Sequence, residues 1–211
     1  MRRLPSSLQA LPDLAPGFIA AGLAALFLGG VGSGFDFTDE GFYYLSFAHP
    51  ENVADNQTSF FLFGGRLFAL LGRNLVAMRL ATLAAMLGGT LLFLWGASRF
   101  AAAFAPGLAP AGPRRRPVLG AALAASFLGF AISPPALSYN FQNAFCLLAA
   151  SGSLLEACTR PRSARRLDPA VLVPLAGFGL LAGLEFFVKF SSSVPLAAGG
   201  FALFLLIGRA S

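Results

Sequence analysis

The residues best suited to chemistry lie in Phe37-Thr38-Asp39-Glu40-Gly41-Phe42-Tyr43-Tyr44, where two adjacent carboxylates precede an aromatic run. A carboxylate at a membrane edge can take the proton of a hydroxyl nucleophile, and its surroundings tune its pKa for that task. The same residues also suit a helix start: Thr38 or Asp39 can cap it, and acids in the first turn complement the dipole. Asp36, Asp39 and Glu40 together are oxygen ligands of the kind a divalent cation takes with waters.

Further suspects are charges within apolar stretches, which are expensive in lipid and therefore point to function. Arg79 falls about one turn inside such a stretch, and Glu185 and Lys189 stand four apart near the end of another. Arg79 and Lys189 also suit snorkelling to the interface, and a Glu185–Lys189 pair would satisfy the carboxylate. Ser138-Tyr139-Asn140 opens a third stretch. Ser138 reads as a helix cap, with Tyr139 in an aromatic belt or, with Asn140, facing a shared cavity. His49 has no Cys or second His nearby, so no zinc site is read. Cys146 and Cys158 share one helix about 18 Å apart, too far for a disulfide. Asn56-Gln57-Thr58 matches a glycosylation sequon, a motif of little specificity.

These residues must be positioned by a membrane scaffold. Of 211 residues, 56% are hydrophobic and 11% charged, and mean hydropathy is +0.72. Soluble domains carry roughly 25% charged residues, so this chain cannot solvate a globular surface. The fold expected is all-α and polytopic, with about six spans: Gly17–Gly32, Leu75–Ala97, Val118–Ile132, Tyr139–Ala157, Pro169–Val188 and Val194–Ile207. Residues 34–74 form a loop on the outer side with short interfacial helices, Glu40–Ala48 and Ser59–Leu71. Arg66 and Arg73, seven apart, would share a helical face there. Ala101–Pro117 reads as a cytoplasmic linker. Gly179-x-x-x-Gly183 reads as a close-packing pair.

The net charge of +6 reflects topology and not nucleic acid, because no basic face with interleaved aromatics appears. With the N-terminus inside, Arg2, Arg3, Arg99, Arg114 to Arg116, four arginines in 160–166 and Arg209 all face the cytoplasm. Only Arg66, Arg73, Arg79 and Lys189 face out. The positive-inside rule therefore predicts cytoplasmic termini and a multi-pass protein of the inner (plasma) membrane.

The order of these features resembles the membrane glycosyltransferases of the C superfamily, nearest the protein O-mannosyltransferase and lipid A aminoarabinose transferase group. The resemblance rests on the basic N-terminus, one span and Asp39-Glu40-Gly41-Phe42-Tyr43-Tyr44, then Ala77-Met78-Arg79-Leu80, Leu137-Ser138-Tyr139-Asn140 and the run from Gly179 to Lys189. It implies transfer of a sugar from a polyprenyl-phosphate carrier to a lipid, glycan or protein acceptor at the outer face. Asp39 would be the general base, and Glu40 would position Asp39 or the acceptor. Tyr43 and Tyr44 would line the sugar or lipid site, with Tyr139 and Asn140 beside them. Arg66, Arg73, Arg79 and Lys189 would face the lipid phosphate. Family members are about twice as long, so the chain is expected to correspond to an N-terminal half. The rival expectation is a non-enzymatic multispan protein, a transporter or an assembly partner. A transporter needs polar residues near mid-membrane, whereas the ionisable residues here fall near the ends of the apolar runs.

Overall fold

A computed structural model describes residues 6–34, 39–53, 59–107, 109, 115–131, 136–159 and 168–210. Every regular element among them is helical. In chain order they are α1 (Ser6–Gly30), α2 (Asp39–Ala48), a 3-10 turn (Pro50–Val53), α3 (Phe60–Leu70), α4 (Leu75–Phe104), α5 (Arg115–Ala131), α6 (Tyr139–Cys158), α7 (Pro169–Val188) and α8 (Phe190–Ala210). Four of these, α1, α4, α7 and α8, are long and apolar enough to cross a membrane. Their outward surfaces are apolar, as lipid requires: Leu26 of α1 and Leu180 of α7 are each 75% exposed.

Local chemistry explains several boundaries. The Ser138 hydroxyl accepts the Phe141 N–H and starts α6, as its sequence position predicts. Asp168 accepts the Ala170 N–H and starts α7, followed at once by Pro169. Asn74 does the same for α4, taking the Ala77 N–H. Pro is at home in a first turn, where its missing N–H has no partner to lose.

Four expected boundaries are corrected. Helix α1 begins at Ser6 and runs through Pro12 and Pro16, well ahead of the Gly17 start expected for the first span. The linker is shorter than 101–117: α4 continues through Ala101-Ala102-Ala103, a strong helix-forming run, and Arg115 to Pro117 already belong to α5. Ser191 to Ser193 are helical, and Lys189 alone separates α7 from α8, with φ −149° and ψ 87°. Finally, α3 ends at Leu70, and Gly72 (φ 68°) and Arg73 (φ 55°) turn in the left-handed region, so Arg66 and Arg73 share no helical face. Asp36, the 56–58 sequon and the arginine-rich stretch 160–167 lie outside the described residues.

Helix directions follow from named contacts. Arg79 near the start of α4 reaches Val31 just past the end of α1, so those two are antiparallel. Thr90 meets Ser126 at 2.7 Å between α4 and α5, and Arg99 and Arg115 line one cavity, which makes this pair antiparallel too. Helix α6 runs parallel to α4: Gly89 faces Phe145, Gly96 faces Gly152, and Arg99 pairs with Glu156. Helix α7 opposes α6 through Gly177 and Ser153, and α8 opposes α7 through Ser193, whose hydroxyl donates to the Ala182 carbonyl at 2.9 Å. Each long helix thus reverses the direction of the one before it.

The tightest crossing is α4 on α6, where a methyl group on Gly96 would collide with the Gly152 backbone. At the α1–α5 crossing a Cβ on Gly120 would meet the Gly17 nitrogen at 2.7 Å. Small residues permit such approach in membranes. The expected Gly179–Gly183 pair does not serve this purpose here, since neither glycine has a neighbour within 4 Å to meet an added Cβ. Arg79 and Arg99 of α4 are separated by about 30 Å along the helix, the thickness of the hydrocarbon core. Each is paired with a glutamate, Glu40 and Glu156 respectively.

Candidate functional site

The site forms where α2 and α3 lie across the starts of α4 and α6 and the end of α7. Phe47 of α2 fits against Gly64 and Gly65 of α3, which have no side chain to keep it away. Tyr43, Tyr44, Phe60, Phe61 and Phe68 complete an aromatic core with Met78 and Val188. The Ser59 N–H donates to the Phe187 carbonyl at 3.1 Å and fixes the start of α3 to the end of α7.

Below this core, Arg79 is fully occupied. Its Nε donates to Glu40 Oε1 and its Nη2 to Glu40 Oε2, both at 2.8 Å. Nη1 donates to the Val31 carbonyl at 2.6 Å and to Ser33 at 3.5 Å, and Nη2 to Gly34 at 2.8 Å. A guanidinium has five N–H donors, and all five are used. The carbonyls belong to the turn just past the C-terminus of α1, the end of a helix that favours a cation. Arg79 and Glu40 are 4% and 1% exposed. The pair therefore ties α1, α2 and α4 together. Arg79 has no donor left for an anion, and Glu40 is buried against it. Both residues position the site. The Tyr44 hydroxyl donates to the Leu75 carbonyl at 3.4 Å, and burial, then the Glu40 carboxylate, push its pKa up.

Asp39, the first residue of α2, is exposed and makes no hydrogen bond or ion pair within the described residues. It lies close enough to Tyr43 to disfavour that phenolate. Burial first, then Tyr139, then Asp39 push the Tyr43 pKa up to about 12. Tyr139 is 42% exposed, and the Lys189 ammonium sits over its ring, 5.6 Å from the centroid. Asp39 and Tyr139 thus both act on Tyr43, and Lys189 covers the Tyr139 ring. Asn140 is exposed beside them in sequence.

Arg66 and Arg73 are both exposed and belong to other surroundings. Arg73 acts on Glu51, whose pKa is lowered by its own backbone N–H first, then by His49 and Arg73. His49 Nδ1 and Glu51 Oε1 are 3.2 Å apart. The Glu185–Lys189 pair expected from their spacing does not form. Lys189 has left the helix, and both Glu185 oxygens are fully buried with no oxygen or nitrogen donor among the described residues. Cys146 of α6 and Lys189 are the polar groups that act on Glu185. Sequence reasoning missed Cys146 as its neighbour.

An apolar cleft of about 180 Å³ opens between α3, α4, α6 and α7. Phe63, Leu67, Met86, Phe141, Phe145 and Leu184 line it, with Gln142 as a polar group at its wall. Among the described residues no three His, Cys, Asp or Glu side chains converge as a metal site. Asp36, the third ligand expected for a cation, lies outside them, and Glu40 is committed to Arg79.

The chain matches no protein-family model, no curated protein and no solved structure.

Proposed function

We propose that the protein is a membrane glycosyltransferase module that uses a polyprenyl-phosphate sugar, with six spans, cytoplasmic termini and its site at the outer face of the plasma membrane. The alternating directions of the six long helices support six spans, and the distribution of arginine supports the orientation. One observation carries the catalytic reading. Of two adjacent carboxylates, Glu40 is locked to Arg79 while Asp39 stays exposed at the first turn of the helix that this lock holds still. Pre-organisation of this kind is what a general base needs.

Asp39 accepts the acceptor hydroxyl's proton. The acceptor oxygen forms a bond to the anomeric carbon as the bond to the phosphate oxygen breaks, with inversion. The leaving lipid phosphate gains negative charge, and Lys189, braced over Tyr139, supplies the countering cation. Tyr43 and Tyr139 give the sugar aromatic surface, and the cleft under α3 offers an apolar bed for the first isoprene units. A divalent cation, if used, would rest on Asp39 and waters.

Membranes carrying the intact protein are assayed with radiolabelled polyprenyl-phosphate sugars. Asp39→Asn lowers transfer by roughly 10²–10⁴-fold while the protein stays inserted. Unchanged transfer by Asp39→Asn would remove the general base, and no transfer from any carrier would remove the enzyme. An assembly partner is the second reading, favoured by the open Gly179–Gly183 face of α7. In that case Asp39→Asn has no effect and Gly179→Leu disrupts association.

A further inference from the structure

At the end of the bundle opposite Asp39, a second cleft of about 430 Å³ separates α4 from α5. Its wall is Leu91, Leu94, Trp95, Val118 and Leu119, and its mouth is Ser98, Arg99 and Arg115. The size is within the range of small-molecule sites, and the division into apolar wall and cationic mouth is that of an amphiphile.

The charges at the mouth are only partly used. Arg99 Nε lies 2.9 Å from Glu156 Oε2, and its guanidinium stands 5.7 Å from the Trp95 ring centroid. This fixes the plane of the guanidinium, and its Nη edge makes no hydrogen bond among the described residues. Arg99 is 41% exposed at the side chain, and Trp95 is 58% exposed. Arg115 is exposed and makes no ion pair among the described residues. Two guanidiniums therefore flank one opening while a single glutamate offsets one of them. An indole at that depth is typical of the bilayer interface.

We propose that this cleft binds an anionic phospholipid. Its phosphate sits between Arg99 and Arg115, the headgroup near Ser98, and one acyl chain runs along Leu91, Leu94, Val118 and Leu119. Charge complementarity selects an anionic over a zwitterionic lipid, and the greasy wall at hydrocarbon depth selects a lipid over a free anion. The site is independent of the glycosyltransferase reading and shares no residue with it.

The test uses the full chain, purified in mild detergent and delipidated, with defined lipids added and retained adducts counted by native mass spectrometry. Phosphatidylglycerol is retained over phosphatidylcholine by about tenfold or more in the wild type. Arg115→Gln lowers that preference about fivefold, as one basic group near a lipid phosphate should. Arg73→Gln, at the opposite end, leaves it unchanged. Ser98→Trp fills the cleft and removes retention even where Arg115→Gln fails to insert. Equal retention of the two lipids overturns the proposal, as does a preference that survives both Arg115→Gln and Ser98→Trp. Inorganic phosphate that displaces phosphatidylglycerol at equal concentration also overturns it, because the acyl wall would then contribute nothing.

Discussion

Replacing Arg79 by Leu removes a cation from a site built entirely around it. Glu40, 1% exposed, then loses its bidentate guanidinium, and the carbonyls of Val31, Ser33 and Gly34 lose their donor. Stranding one member of a buried pair costs about 3–5 kcal/mol. Each orphaned carbonyl adds roughly 1 kcal/mol or less where water reaches it at the membrane edge. The expected loss is therefore about 4–6 kcal/mol. Glu40→Leu should cost less, roughly 3 kcal/mol, because Arg79 keeps its three carbonyls and stays at a polar boundary. The double variant Glu40→Leu/Arg79→Leu recovers part of the loss, since no charge is left unpaired. Reversible unfolding in mixed micelles, read by tryptophan fluorescence from Trp95, gives all four corners of the cycle. A coupling energy under about 0.5 kcal/mol would refute the clamp. So would an Arg79→Leu protein within about 1 kcal/mol of the wild type, whatever its activity.

Gly96→Ala should destabilise by about 1–3 kcal/mol through collision with the Gly152 backbone, whereas Gly179→Ala, open to its surroundings, should be neutral or slightly stabilising; thermal midpoints in one detergent decide. Tyr43 holds its proton in the folded state to about pH 12 against an ordinary value of 10.0. Between those values the unfolded chain releases that proton and the folded chain does not, so stability falls as pH rises. Phenolate absorbance should show late steps from Tyr43 and Tyr44, and Tyr43→Phe removes the earlier of the two. Glu185→Leu removes two buried oxygens that meet no oxygen or nitrogen donor among the described residues, only the Cys146 thiol, and should raise stability by about 1 kcal/mol in chemical unfolding. A matched drop in sugar transfer would show that Glu185 is retained for function.

Much of the scaffold was legible. Asp168-Pro169 and Ser138 announce helix starts by side-chain chemistry that acts over three residues or fewer, and α7 has the limits its pattern predicts. Legibility failed where a distant partner overrides a local signal. Ser191 to Ser193 look like a loop because they are polar, yet Ser193 finds an acceptor in Ala182 across the helix pair. Glu185 and Lys189 have ideal spacing, and one extended residue at Lys189 undoes it. In the candidate site, Asp39, Tyr43, Tyr139 and Lys189 were singled out; Asp39 and Tyr139 act on Tyr43, and Lys189 lies over Tyr139. The roles of Glu40 and Arg79 were not readable, because nothing local to either names a partner thirty-nine residues away.

That separation has a consequence for synthesis. Glu40 leaves the ribosome thirty-nine residues ahead of Arg79, about 2–8 s earlier at 5–20 residues per second. The α1 end, with its carbonyls, precedes both. When Arg79 reaches the bilayer, its whole receptor has already been made. An unpaired arginine near a membrane rim invites slippage of the helix that bears it. Here the first hairpin can latch as it emerges, and the depth of α4 is set before α5 and α6 arrive to pack on it. By contrast α1 meets its own close neighbour, α5, only after about a hundred further residues. The buried pair is thus a registration mark for insertion, made early because the helix it fixes is the one on which the later helices are laid.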